Sequence, residues 1–242
     1  MKILPIDPPL DARNAIEYFN LQLVIPNQVY SPSDDTDLSI FFLKKWIQTI
    51  EQSPFTSKKD KTVRIFEMGI GSGVLSLYLT SRLIQKGYIP EVIGVDINPI
   101  AVETANFNAE LNHLSEKMTF LQGEFFNPLL SDSERNFTPF DFIISNPPYL
   151  AGEPQVINEE NKQPIDYAWE GGLNGYEVTL DFLDQVDPFL ASPGDFMLIS
   201  SSNVDQNPII TRLEELDIKI IEILRTHKFF EDILLYHGRK EN

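Results

Sequence analysis

The chain contains no cysteine, which rules out disulfides and thiolate metal sites. Its three histidines, His113, His227 and His237, are scattered along the sequence. They form no ligand cluster, so no metal site is expected, and any zinc would have to come with a partner. Positive charge is the next shortage. The 19 Lys and Arg stand against 36 Asp and Glu, a formal net charge of −17, whereas displacing counterions from bare DNA or RNA needs a basic footprint. Stable nucleic-acid binding is therefore not expected. An acidic surface suits a basic protein partner instead, because complementary charge speeds encounter. No apolar run approaches the length of a membrane span. The first nine residues, Met1 to Pro9, are broken by three prolines and an aspartate, unlike a signal peptide. These absences predict a soluble, intracellular, cytoplasmic protein without membrane attachment. Internal repeats and low-complexity tracts are missing as well.

What remains is ample material for one core: 242 residues, 42% of them hydrophobic. Four β-rich runs organise it, Val63 to Met68, Glu91 to Asp96, Met118 to Gln122 and Phe140 to Ser145. Each ends in a polar feature, and helical patterns separate them. A helix is predicted over Asp35 to Gln52, with Phe42, Leu43, Trp46, Ile47 and Ile50 at helical spacing. Another follows from Val74 to Ile84, and Asn98-Pro99 supplies an N-cap with proline at the first helical position. Later come a helix from Tyr176 to Leu190, a strand at Phe196 to Ser200, a helix across Pro208 to Leu216, and two β-rich runs, Lys219 to Leu224 and Ile233 to Tyr236. The pattern predicts an α/β, doubly wound, Rossmann-like sheet, mostly parallel with an antiparallel C-terminal strand. Before it, Asp11 to Phe19 reads as a short helix and Leu21 to Ile25 as a strand. Ser53 to Thr62 reads as a polar linker, and Leu150 to Gly175 as a long loop placed to serve as a substrate lid.

The richest segment is Asn146-Pro147-Pro148-Tyr149, straight after a buried strand. Two prolines fix φ and remove two N–H donors, which leaves backbone carbonyls and the Asn146 amide for a ligand. A planar NH2 group, from a glutamine amide or an adenine, would donate to the Asn146 side-chain oxygen and to the Pro147 carbonyl, with Tyr149 packed against it. Upstream, Gly69, Gly71 and Gly73 alternate between a strand and a helix, and glycine there permits a tight turn and close approach of a ligand to the backbone. Their G-x-G-x-G spacing differs from the dinucleotide fingerprint. Glu67 at the strand end would repel a pyrophosphate but would accept a hydrogen bond from an ammonium, as the methionine part of S-adenosylmethionine requires. Asp96 ends the next strand and suits a pair of ribose hydroxyls. Glu124 and Phe125 follow the third and would bracket an adenine.

These residues resemble the class I S-adenosylmethionine-dependent methyltransferases, and more closely the HemK-type protein-glutamine N5-methyltransferases that modify the Gly-Gly-Gln motif of translation termination factors. The likeness extends to Val29-Tyr-Ser-Pro-Ser-Asp-Asp-Thr36, Asp96-Ile-Asn-Pro99 and Ala168-Trp-Glu-Gly-Gly-Leu-Asn-Gly175. It implies that Thr36, Glu67, Gly69, Asp96, Glu124, Phe125 and Asn146 contact the cofactor, with Gly71 and Gly73 completing its loop. It also implies that Asn146, Pro147, Pro148 and Tyr149 hold the substrate amide. Glu124 departs from the family, which usually has Asp there. Residues 1–28 are expected to be an N-terminal extension and 29–242 the methyltransferase domain. That organisation resembles the short archaeal and eukaryotic form, which implies a small zinc-binding activator subunit as a partner. Adenine-N6 methyltransferases acting on RNA or DNA share the Asn-Pro-Pro-Tyr motif, and protein-lysine or small-molecule methyltransferases share the cofactor half, so both stay open as alternatives. A noncatalytic scaffold would have no use for the tetrapeptide.

Overall fold

The computed structural model describes residues 6, 9–50, 61–130, 138–152 and 164–241. A seven-stranded sheet carries the fold. In chain order its strands are β3 (Thr62–Met68), β4 (Ile89–Asp96), β5 (Met118–Gln122), β6 (Phe140–Ser145), β7 (Leu190–Ser201), β8 (Ile218–Lys228) and β9 (Glu231–Lys240). They lie in the order β5-β4-β3-β6-β7-β9-β8. Neighbours are parallel except β9, which runs antiparallel to both β7 and β8. The expected mixed, doubly wound architecture is thus present. The chain winds outward from β3 to β5, then crosses back to place β6 on the other side of β3. That reversal opens a crevice between the ends of β3 and β6, where open α/β sheets bind their ligands.

Strand alternation explains the two-sided core. Ile65 of β3, Met197 and Ile199 of β7 and Leu235 of β9 point to one face, with Phe42 and Trp46 of α1 (Asp34–Thr49), Leu77 of α2 (Val74–Gln85) and Ala105 of α3 (Pro99–Leu111). Their neighbours Phe66, Phe196, Leu198 and Tyr236 point to the other. There they meet Phe182 and Leu183 of α5 (Glu177–Val186) and Ile209 and Leu213 of α6 (Asn207–Glu215). A one-turn α4 (Asn127–Leu130) lies between β5 and β6. In β6 the register shifts between Phe140 and Phe142, which is why these two residues, both even in number, face opposite sides. One polar knot interrupts the first face. Asp195 of β7 is fully buried and accepts from Trp46 Nε1 (2.8 Å) and from Arg239 Nε and Nη2 (2.7 and 3.1 Å).

The N-terminal segment differs from expectation. In place of a helix over Asp11 to Phe19 there is one 3-10 turn, Ala12–Asn14, followed by a hairpin of β1 (Ile16–Tyr18) and β2 (Leu21–Leu23). The turn residues Phe19 and Asn20 both have positive φ, 50° and 65°, as a two-residue hairpin turn requires. Alternation in β2 sends Leu21 and Leu23 into the main core, and that burial outweighs a weak local helical pattern. Two carboxamides, Asn108 of α3 and Asn112 at its C-cap, clip the hairpin in place. Asn112 accepts from Gln22 N (2.9 Å) and donates to Gln22 O (2.7 Å). Asn108 accepts from Val24 N (2.8 Å) and donates both to Val24 O (3.1 Å) and to Ser72 O in the glycine loop (2.9 Å).

Other boundaries shift for local reasons. Leu190, expected at the end of α5, opens β7 by pairing with Phe140. The two final strands are longer than expected because they form a single hairpin with each other. The polar linker lies outside the described residues up to residue 60, and Thr62 already belongs to β3. Among the described residues no helix is long and apolar enough to cross a membrane.

Candidate active site

A cleft of about 620 Å³ opens along the C-terminal ends of β3, β4, β5 and β6. It gathers nearly all the residues expected from the sequence: Thr36, Glu67, Gly69, Gly71, Asp96, Glu124, Phe125 and Asn146 to Tyr149 all line it. Gly73 does not line the cleft. It caps α2 with a φ of +80°, and a Cβ there would meet Ala105 at 3.2 Å, so its work is to start the helix close against α3.

The glycine loop is open to the cleft. A Cβ on Gly71 would meet nothing within 4 Å, although its φ of +51° still favours glycine. Asp96 closes the loop from β4, its Oδ2 accepting from Gly71 N and its Oδ1 from Asn98 N, each at 2.9 Å. Burial pushes the Asp96 carboxyl up to about 6 against those two hydrogen bonds. Glu67 is buried at the end of β3 and accepts from both the backbone N–H (3.0 Å) and the hydroxyl of Ser76. Burial raises its pKa to about 8; the Ser76 hydrogen bonds oppose the rise and the charge of Asp96 adds to it. A cationic ligand group beside Glu67 would reverse much of that shift. Phe125 holds a left-handed φ of 52°, an uncommon conformation for an aromatic residue and one that clusters at functional positions. Glu124 beside it is exposed.

On the other side of the crevice, Asn146 donates from Nδ2 to Asp35 Oδ2 at 3.0 Å, while its buried Oδ1 has no hydrogen-bond partner. A buried acceptor without a donor is costly unless a ligand supplies one. Tyr149 is half-buried, and burial together with the Asp35 charge holds its phenol well above the ordinary range, so it stays neutral. Thr36 spends its hydroxyl on the helix start, accepting from Ser33 N at 3.3 Å.

The described ends of the long loop wrap this tetrapeptide; residues 153–163 fall outside the described residues. Leu150 N donates to Trp169 O and Gly171 N to Leu150 O, both at 2.8 Å. Gly171 packs so closely that a Cβ would lie 2.7 Å from Pro148 O and 2.9 Å from Tyr149 Cα, and a Cβ on Gly175 would lie 2.7 Å from Tyr149 O. These contacts are the physical reason for glycines in the Trp-Glu-Gly-Gly-Leu-Asn-Gly segment.

A glycine loop, two strand-end carboxyls and an unsatisfied amide acceptor across the switch point form one continuous site. Residues 59–229 match the family described as a methyltransferase domain. The chain belongs to this methyltransferase family. The human methyltransferase HEMK2 is 27% identical over 179 residues, covering 71% of this chain and 72% of that protein. A putative protein N5-glutamine methyltransferase of Methanocaldococcus jannaschii is 27% identical over 223 residues, covering 92% of this chain and 98% of that protein. A release factor glutamine methyltransferase of Dictyoglomus turgidum is 30% identical over 162 residues, 66% of this chain and 51% of its own length. This methyltransferase thus spans about half of that bacterial relative. Among solved structures, the E. cuniculi Mtq2–Trm112 complex, described as responsible for methylation of the eRF1 translation termination factor, superposes with a TM-score of 0.55 at 18% identity. The match covers 88% of this chain and 99% of that one, and the likeness is one of fold.

Several further groups line the methyltransferase's cleft. Asp35, Tyr30, Trp169, Lys228 and Glu231 all line it. Lys228, at the β8–β9 turn, donates to Ser33 Oγ (2.6 Å) and pairs with Asp34 (2.8 Å), which ties that turn to the start of α1. Tyr30, Asp35 and Trp169 lie within the segments that carry the family resemblance. Lys228 and Glu231 carried no local signal.

Proposed function

We propose that the chain transfers a methyl group from S-adenosylmethionine to the glutamine side-chain amide of the Gly-Gly-Gln motif of a translation termination factor. The observation that carries the reading is the buried, unpartnered Asn146 Oδ1 in a cleft shared with the glycine loop and Asp96. Glu67 takes the ammonium end of the cofactor, Gly69, Gly71 and Gly73 shape the loop beneath it, and Asp96 takes the ribose. Glu124 and Phe125 flank the adenine, with Thr36 and Asn146 completing the contact set. When bound, the cofactor supplies an electrophilic methyl carbon on a sulfonium.

The chain's own residues supply orientation. An amide nitrogen is a poor nucleophile because its lone pair is delocalised into the carbonyl. Asn146 Oδ1 and the Pro147 carbonyl each accept one N–H of the substrate amide, which concentrates electron density on the nitrogen and directs it. Pro148 and Tyr149 wall the flat group. Fixing geometry in this way removes on the order of several kcal/mol from the barrier. The proton becomes acidic only after methylation and passes to water along the same hydrogen bonds, so no strong base is needed.

Residues 29–242 make up the methyltransferase domain and residues 1–28 an N-terminal extension. A small zinc-binding activator subunit is the expected partner and the cytoplasm the expected location. The likeness to relatives named for glutamine methylation and to a solved enzyme–activator complex supports this reading, as does a net charge of −17, which disfavours bare nucleic acid. The test is mass spectrometry of a release-factor domain after incubation with the chain and cofactor, beside a Gln→Ala factor and naked DNA and RNA. Label on the wild-type factor alone is the expected result. Label on the mutant factor or on nucleic acid instead would overturn the assignment.

A further inference from the structure

Asn146 offers its side-chain oxygen to the cleft only if its amide is held the right way round. A primary amide has nearly the same shape when flipped, so packing alone barely distinguishes the two orientations. Here Nδ2 lies 3.0 Å from Asp35 Oδ2. The flipped amide would set two oxygens at that separation, acceptor against acceptor.

Asp35 is itself anchored. It is buried at 3% exposure in the first turn of α1. Its Oδ1 accepts from Thr36 N at 2.7 Å, with the Thr36 hydroxyl at 3.3 Å and the Tyr30 hydroxyl at 3.4 Å. All its partners are donors, so both oxygens act as acceptors and Oδ2 admits only the NH2 edge of Asn146.

We propose that Asp35 is a positioning and specificity residue: it locks the Asn146 amide with Oδ1 toward the substrate, so that the cleft selects an N–H donor over a carbonyl or carboxylate. The proposal rests on the substrate reading above for its consequence in turnover, and on geometry alone for the orientation itself. The hydrogen bond from Nδ2 to a carboxylate also polarises the amide and strengthens Oδ1 as an acceptor. Asp35 touches neither cofactor nor reacting nitrogen in this scheme; it acts through Asn146.

Asp35→Asn keeps the shape but accepts or donates equally well, which frees both orientations of Asn146. Three readouts separate positioning from simple structural support. The Asn146 side-chain NH2 resonances should exchange slowly with solvent in the wild type and rapidly in Asp35→Asn, with no substrate present. Turnover of a release-factor domain should fall roughly tenfold or more, while affinity for S-adenosylhomocysteine stays within about threefold. In competition, a Gly-Gly-Gln peptide should bind the wild type better than a Gly-Gly-Glu peptide, and that preference should narrow in Asp35→Asn. Asp35→Glu, which keeps the carboxylate, should restore part of the turnover and guards against a folding defect in the first variant. Unchanged Asn146 exchange, unchanged turnover, or equal weakening of both peptides in Asp35→Asn would each overturn the proposal. Failure of the wild type to methylate any Gly-Gly-Gln factor would sink the substrate reading, and the Asn146 resonances would still decide the role of Asp35.

Discussion

The raised pKa of Glu67 makes cofactor binding depend on pH in a calculable way. With its carboxyl at about 8 in the ligand-free protein, the side chain is roughly 3% ionised at about pH 6.5 and roughly a quarter ionised at about pH 7.5. If the ligand ammonium engages only the carboxylate, apparent affinity rises roughly eightfold over that interval, about 1.2 kcal/mol. Asp96, at about 6, is already mostly ionised at the lower pH and adds little. Binding therefore releases close to one proton at neutral pH. Isothermal titration calorimetry with S-adenosylhomocysteine measures both quantities, the slope of affinity with pH and the proton count from buffers of different ionisation enthalpy. Glu67→Gln should bind more weakly at about pH 7.5 and lose the slope. An affinity that is flat or falls as pH rises, or an unchanged slope in Glu67→Gln, would refute the placement of the ammonium beside this carboxyl. The ligand-free fold should show the opposite trend. Glu67 and Asp96 both have folded pKa values above their ordinary ones, so their contribution to stability is complete below about pH 4 and is lost as pH rises through about 6 and 8.

Two further outcomes probe the supporting structure. Gly171→Ala would place a Cβ 2.7 Å from the Pro148 carbonyl. Backbone cannot yield there as a side chain would, so turnover should fall by roughly tenfold or more with little change in cofactor affinity, read by single-turnover kinetics. Asp195→Ala leaves the Arg239 guanidinium and the Trp46 indole N–H without their shared acceptor and should cost on the order of 3–5 kcal/mol in urea unfolding at neutral pH. Burial alone would raise the Asp195 pKa, but hydrogen bonds from His237, Arg239 and Trp46 outweigh it and hold the carboxyl below its ordinary value. Its contribution is therefore present above about pH 4 and fades as pH falls, so the wild type and Asp195→Ala should converge in acid.

Glu67, Asp96 and Asn146 were legible because each follows a short apolar run, and a polar residue at the end of a buried parallel strand faces the ligand edge by topology alone. Gly69, Gly71 and the two prolines were legible because their backbone chemistry is local. Asp35 meets Asn146 across 111 positions of sequence, and Lys228 meets Ser33 across 195; no periodicity encodes such pairs. The N-terminal hairpin escaped for a related reason. Apolar residues at 12, 15, 16 and 19 mimic a helical face, and only the docking of Leu21 and Leu23 against the finished core decides for β structure. Gly171 and Gly175 stood out in sequence, but their purpose, to let one backbone lie against another, appears only when the two segments are brought together.

The carboxamide of Asn108 is a joint between the N-terminal hairpin and the glycine loop. It substitutes for a missing peptide group, continuing the β2 ladder at Val24 with one edge while its spare hydrogen holds Ser72 in the glycine loop. A loop rich in glycine is otherwise entropically expensive to order, and here part of that ordering is done in advance by a hairpin outside the sheet. Order is thereby carried from the N-terminal hairpin to the glycine loop. Opening either the hairpin or the loop therefore breaks hydrogen bonds of the same side chain.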